Sequence, residues 1–321
     1  MPMLREKLTP YLRTLISGGS SAVAGQFTFV QPLSLANDGV SSNRFADDDP
    51  LKEDSHLVAN GIVHKYKNRV LWKVSYRCAA HCQFCTRLRQ IGTREGDLDA
   101  ENIEGGLKYL SGHPEIDEVI LSGGDPLFTP KETGLIFDGL TKLPSIKVIR
   151  IGTRMPVHLP SAFEGRFLRE LLEKISEVAF VRPIYMLVHV DHPDELTSET
   201  VNALARLRRI GLILLSQTVF LKGINDDEGS LKKLFESLYH LGVIPYYIFR
   251  CDSVAGLERF VCNIQDERRI MTNLCRELSG IAVPTYVVDV PGRGKIPVPL
   301  EFWDGVDLSQ CRDFDGERIL I

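Results

Sequence analysis

Residues 70–89, VLWKVSYRCAAHCQFCTRLR, carry the reading on which the rest of the chain is assembled. Val70–Tyr76 is rich in β-branched and aromatic residues, which suits a buried strand. Directly after it, Cys78, Cys82 and Cys85 stand as Cys-x3-Cys-x2-Cys on one short loop. Three thiolates can hold three irons of a cubane cluster and leave the fourth iron open to a small molecule. A zinc site is the alternative reading of the same residues, but a closed site wants four ligands and only His81 is at hand to be the fourth.

Further strand-like runs follow at Glu118–Leu121, Lys147–Gly152, Pro183–Val190, Leu212–Phe220 and Val243–Phe249. Helical spacing fills the intervals. Val201, Leu204, Leu207 and Ile210 precede Gly211, and Leu231, Leu234, Phe235, Leu238 and Leu241 follow a Ser230 cap and precede Gly242. Six strand-then-helix units predict an α/β fold, an open partial (β/α)6 TIM-like barrel, with a doubly wound sheet as the alternative. The nearly all-apolar runs predict strands buried on both faces. A last helix over Asp266–Ser279 with Gly280 as its cap, and a strand at Thr285–Val288, complete the pattern. Residues 1–60 read as a short helix and wrap, with loops at Ser17–Ser21 and Ala46–Pro50. The barrel proper is expected over 61–255 and a C-terminal segment over 256–321.

The chain has 321 residues, 38 basic and 42 acidic, for a formal charge of −4, which offers no basic surface to a polyanion and disfavours nucleic acid as a partner. Arg5, Glu6, Lys7 and Arg13 interrupt the N-terminus, and no apolar run approaches the roughly 20 residues of a membrane span, so a cytoplasmic protein without membrane contact is expected. Seven cysteines with three clustered suit a metal site in a reducing compartment better than a disulfide framework.

Polar residues gather at the ends of the strands, where a parallel barrel works. Strand two runs into Ser122-Gly123-Gly124-Asp125-Pro126, whose glycines would let a ligand approach free backbone amides. Strand three ends at Thr153-Arg154, strand four at His189, strand five holds Gln217 and strand six leads to Asp252. A lysine amine can form a Schiff base, and Lys295 lies in a Gly/Pro-rich stretch, Pro291–Pro297, where the plainer reading is a solvated loop lysine.

The cysteine spacing, with Phe84 before the last cysteine, resembles the radical S-adenosylmethionine (SAM) superfamily. From about His64 to Pro297 the chain looks like the lysine 2,3-aminomutase family, on Cys85-Thr86-Arg87, Leu121–Asp125, His189–Pro193, Gln217–Val219, Lys222–Asp226, Tyr246–Phe249 with Cys251-Asp252, and Val288-Asp289 with Pro291–Pro297. The resemblance implies a 4Fe-4S cluster on Cys78, Cys82 and Cys85, and SAM contacts from Gly123, Gly124, Asp125, His189 and Gln217. It implies pyridoxal 5′-phosphate (PLP) on Lys295, with Lys65 and Arg69 near the phosphate. Arg87 would pair with the substrate carboxylate, and Asp252 and Asp289 with the ε-ammonium of L-lysine. The implied reaction moves the 2-amino group to carbon 3 through a 5′-deoxyadenosyl radical and an external aldimine, with an electron donor such as flavodoxin or ferredoxin; a homo-oligomer is compatible with it. The short branch of the family that makes (R)-β-lysine for elongation factor P, and aminomutases of glutamate or arginine, are the alternatives. Lys65 stands where arginine is common and Phe249 where tyrosine occurs. The short tail, with Cys311 alone, puts the zinc cluster of longer relatives in doubt.

Overall fold

The computed structural model describes residues 4–29, 49–59, 61–252, 254–291, 293–302, 307, 311–313 and 316–319. A single ten-stranded sheet runs in chain order, β1 (Leu57–Ala59), β2 (Ile62–Tyr66), β3 (Arg69–Ser75), β4 (Glu118–Gly123), β5 (Val148–Thr153), β6 (Ile184–His189), β7 (Ile213–Val219), β8 (Ile244–Phe249), β9 (Thr285–Val290) and β10 (Gly294–Pro297). Strands β3 to β9 are mutually parallel, and β1, β2 and β10 add antiparallel edges. The first and last strands do not pair, so the barrel is open. Helices follow each strand from β3 to β8: α3 (Ala100–Ser111), α4 (Pro130–Thr141), the short α5 (Met155–His158) with α6 (Arg169–Ala179), α7 (Ser198–Arg209), α8 (Glu228–His240) and α9 (Ile264–Glu277). These are the six units expected from sequence.

Several local expectations are corrected. Burial alternates along β4, β5 and β7, whereas β3 over Trp72–Ser75 and β6 over Met186–Val188 are buried on both faces as expected. Val119, Leu121, Ile149 and Ile151 share one core with Ile103, Leu110, Ile136 and Phe137 of the helices, whereas Ile120, Ser122, Arg150 and Gly152 are only half-buried. Helix α8 is capped by Asp227, which accepts from Ser230 N, rather than by Ser230 itself. Helix α9 begins two residues earlier than expected, after an Asn263 cap, and ends at Glu277, so Gly280 opens a separate turn. Gly211 and Gly242 do follow their helices at φ +85° and +72°, conformations that favour glycine.

At the N-terminus, the loop expected at Ser17–Ser21 is a tight turn over 18–20 between α1 (Pro10–Ser17) and α2 (Ser21–Phe27), so two helices stand where one was expected. Of the Ala46–Pro50 run, residues 46–48 lie outside the described residues. The segment before α1 lies on the cysteine loop: Lys7 Nζ donates to Cys78 O at 2.6 Å, His81 N donates to Lys7 O, and Gln83 N donates to Gln26 O of α2. No helix among the described residues is long and apolar enough to cross a membrane.

Candidate active site

Register carries one face across the sheet. Lys73 lies opposite Ser122, Leu187 opposite Gly152, His189 opposite Gln217, Gln217 beside Tyr247, Phe249 opposite Val287, and Asp289 opposite Lys295. Because every second residue of a strand shares a face, Arg69, His189, Gln217, Asp289 and Lys295 all point the same way. Lys295 is thus on a strand, not in a solvated loop, and its Nζ lies 5.7 Å from the centre of the Phe249 ring. Gly292, in the same Pro291–Pro297 stretch, lies outside the described residues.

The cysteine loop leaves β3 at its C-terminal end. Burial pushes all three thiols up, Cys82 to about 12 despite the opposing charge of Arg154. Cys78 also responds to Cys85 and Cys82, so the three sulfurs are electrostatic neighbours. Among the described residues no three His, Cys, Asp or Glu side chains stand close enough to share one ion.

Gly123 and Gly124 sit where the backbone packs too closely for a Cβ. A Cβ on Gly123 would lie 2.5 Å from Ser75 O, and one on Gly124 would lie 2.4 Å from Arg77 O. Gly124 N donates to Ser75 O and Asp125 N to Arg77 O, so these amides are not free for a ligand. The glycines let β4 press against the start of the cysteine loop. The Asp125 carboxylate accepts from Thr153 Oγ1 (2.7 Å), Leu127 N (3.0 Å) and Arg154 N (2.7 Å), and burial raises it to about 6. It ties the loop after β4 to the end of β5 at the barrel mouth.

At the other end of the site, Lys295 Nζ meets Asp289 Oδ2 at 2.9 Å. Burial lowers the Lys65 amine, and the charges of Asp289 and Lys295 both act on it, so these three groups are neighbours. Arg69 stacks 4.5 Å from the Tyr66 ring centre. Asp252 is raised to about 7, first by burial and then by the Asp289 carboxylate, against weaker opposition from Lys295 and Arg87. It has no ion-pair partner among the described residues. Arg87 is engaged by a residue that sequence reasoning missed: Glu53 takes Nη2 at 2.5 Å and Nε at 3.1 Å, while Nη1 donates to Gly123 O. Lys73 Nζ lies 3.6 Å from the same carboxylate. Burial opposes the Glu53 charge, but Arg87 and Lys73 more than offset it and hold Glu53 at about 2.

The Radical SAM superfamily matches residues 72–234. An L-lysine 2,3-aminomutase from Acetoanaerobium sticklandii is 35% identical over 299 residues, covering 92% of this chain and 69% of that protein. One from Escherichia coli is 35% identical over 255 residues, covering 79% and 72%. The chain belongs to the lysine 2,3-aminomutase family of the radical SAM superfamily. Within this aminomutase family, a glutamate 2,3-aminomutase from Clostridioides difficile is 33% identical over 278 residues, covering 85% of the chain and 64% of that protein. The crystal structure of a radical SAM methyltransferase from Sphaerobacter thermophilus shares the fold, with a TM-score of 0.50 at 16% identity over 71% of this chain and 68% of that one.

Superfamily membership implies a 4Fe-4S cluster and SAM, and the aminomutase family implies PLP. The residues fit both. Three half-buried neighbouring thiols suit a cluster, and Lys65, an electrostatic neighbour of Lys295, is a cation suited to a phosphate, with Arg69 stacked on Tyr66 on the same face of the sheet.

Proposed function

We propose that this aminomutase acts on L-lysine, moving its 2-amino group to carbon 3 to give β-lysine. Asp252 carries the reading. A carboxylate raised to about 7 beside a second carboxylate, with Lys295 already committed to Asp289, is a site that favours one more cation. The ε-ammonium of lysine supplies it, whereas the distal carboxylate of glutamate would add a third negative charge.

When bound, the cluster and SAM supply the hydrogen-abstracting radical, and PLP supplies the imine chemistry for nitrogen migration. The chain's own residues bind and orient. Cys78, Cys82 and Cys85 hold the cluster, and Lys295 tethers PLP with Lys65 and Arg69 at its phosphate. His189 and Gln217, adjacent in the ladder, face SAM together with the Gly123–Asp125 segment, whose Asp125 acts through the loop it ties to β5. Arg87 presents to the substrate carboxylate the Nη1–Nη2 edge that Glu53 leaves partly open. An electron donor such as flavodoxin or ferredoxin would be the partner that supplies the cluster's electron.

The test is anaerobic reconstitution with iron, sulfide, SAM, PLP and reductant, offering equimolar lysine, glutamate and arginine. β-Lysine is the expected main product, and a main product from glutamate or arginine would overturn the assignment. Chiral analysis of the β-lysine then separates a free-lysine enzyme, expected to give the (S) form, from the (R)-forming branch.

A further inference from the structure

Arg154 follows β5 and is buried, with its guanidinium stacked between two aromatic rings at 5.0 Å from Phe27 and 5.3 Å from Phe84. Its Nη1 donates to Cys82 Sγ at 3.0 Å. Its Nη2 lies 3.0 Å from Glu195 Oε2 and 3.0 Å from Asp191 Oδ2, and donates to Gln26 Oε1. Glu195 is itself fixed by Gln26 Nε2 at 2.8 Å and by the amides of Asp191 and His192. His189 Nε2 reaches Asp191 at 2.9 Å. A chain of charged contacts therefore runs from His189 through Asp191 and Arg154 to Cys82.

A buried guanidinium flanked by two carboxylates has its charge more than offset, so a thiol contact is not needed to satisfy it. The contact with Cys82 instead suits a sulfur that carries negative charge, because an ionised acceptor roughly doubles the strength of such a bond. Reducing a cluster adds negative charge to its sulfurs, and hydrogen bonds to sulfur are among the levers that set its potential.

We infer that Arg154 is a positioning residue for the iron–sulfur cluster: it holds the Cys82 thiolate by a charge-assisted hydrogen bond and raises the cluster's reduction potential. Asp191 and Glu195 hold the guanidinium in place and temper its charge. This rests on Cys78, Cys82 and Cys85 being the cluster ligands, and the helix α2 residues Gln26 and Phe27 complete the pocket from the N-terminal side.

The test uses reconstituted protein without substrate, comparing wild type with R154K, R154Q and E195Q by iron and sulfide analysis and by an EPR-monitored redox titration. R154Q should lower the midpoint potential by at least about 59 mV, a tenfold change in the oxidised-to-reduced ratio for one electron. E195Q, which removes a tempering carboxylate, should shift it the opposite way. R154K keeps the charge and should fall between wild type and R154Q. If R154Q loses iron, the opposed shifts of E195Q and R154K still decide the matter. Wild type that binds no four-iron cluster would refute the ligand assignment, whereas a cluster whose potential is the same in wild type, R154K and E195Q would refute the role of Arg154 alone.

Discussion

Around Cys82, Asp191 and Glu195 face Arg154, and His189 joins them at 2.9 Å from Asp191. Around Lys295, Asp289 and Asp252 also face one committed cation, and Arg87, the next cation within electrostatic reach of Asp252, is held by Glu53. Both regions set two carboxylates against a cation, Arg154 in the first and Lys295, with Lys65 beside it, in the second. The first is closed by the protein, and Asp191 stays below the ordinary carboxylate range because His189 and Arg154 more than offset its burial. The second is left open, and Asp252 rises. A closed charge set holds a permanent fixture, and an open one is completed by something that comes and goes.

Four substitutions test this contrast. K295A should remove the visible absorbance of bound PLP and lower turnover by about 10³-fold, roughly 4 kcal/mol of transition-state stabilisation. Retained absorbance and turnover would mean that Lys295 is not the tether.

D252N should lower kcat/KM for lysine by about 10²-fold or more, from the roughly 3 kcal/mol lost when a buried charge is left unpaired. Its pH signature is as informative. The folded value of Asp252 is raised, so ionising it costs the folded state as pH climbs from the ordinary carboxylate range through about 7. A bound ammonium reverses that cost. Lysine affinity should therefore weaken as pH drops below about 7 in the native protein, and a native pH profile identical to that of D252N would break the contrast.

E53Q should destabilise the protein by about 3 kcal/mol at neutral pH, read from the urea midpoint, because it weakens a buried pair with Arg87 and Lys73. Glu53 is depressed to about 2, so its contribution is complete above the ordinary glutamate range and is lost as pH falls toward 2. The gap between E53Q and the native protein should close over that acid window. D227A, far smaller in effect, removes the α8 cap and should cost about 1 kcal/mol with turnover per folded molecule unchanged. A large loss of turnover in D227A would blur the line between scaffold and site.

The six-unit barrel was legible because each strand from β3 to β8 carries its own apolar run and each helix its own spacing, and both signals are local. The edges were not. β1 and β2 form a hairpin around Gly61 at φ +77°, and the Asn60-Gly61 pair in the sequence was the available signal. β10 has only four residues and begins at a glycine, so propensity says little about it. The triad Cys78, Cys82 and Cys85 was readable from its spacing and Asp252 from its place after a strand, whereas Asp289 came only from the family resemblance. Arg154 was legible as a polar residue at a strand end, but its partners and those of Glu53 were not, because they lie 72 and 34 positions away in the chain. A salt bridge of that span leaves no periodic trace.

Among the described residues strand β10, which holds Lys295, pairs only with β9, whereas β3, which launches the cysteine loop, is bonded on both sides. A terminal strand of four residues opens more readily than one with two neighbours. Backbone amides of Gly294–Ile296 should therefore exchange with deuterium sooner than those of Val70–Val74, and PLP should slow the former selectively. If Lys295 is the tether and the three cysteines the ligands, the iron centre would be built on a seam already locked, and the vitamin-derived cofactor would be the piece that fastens the last one.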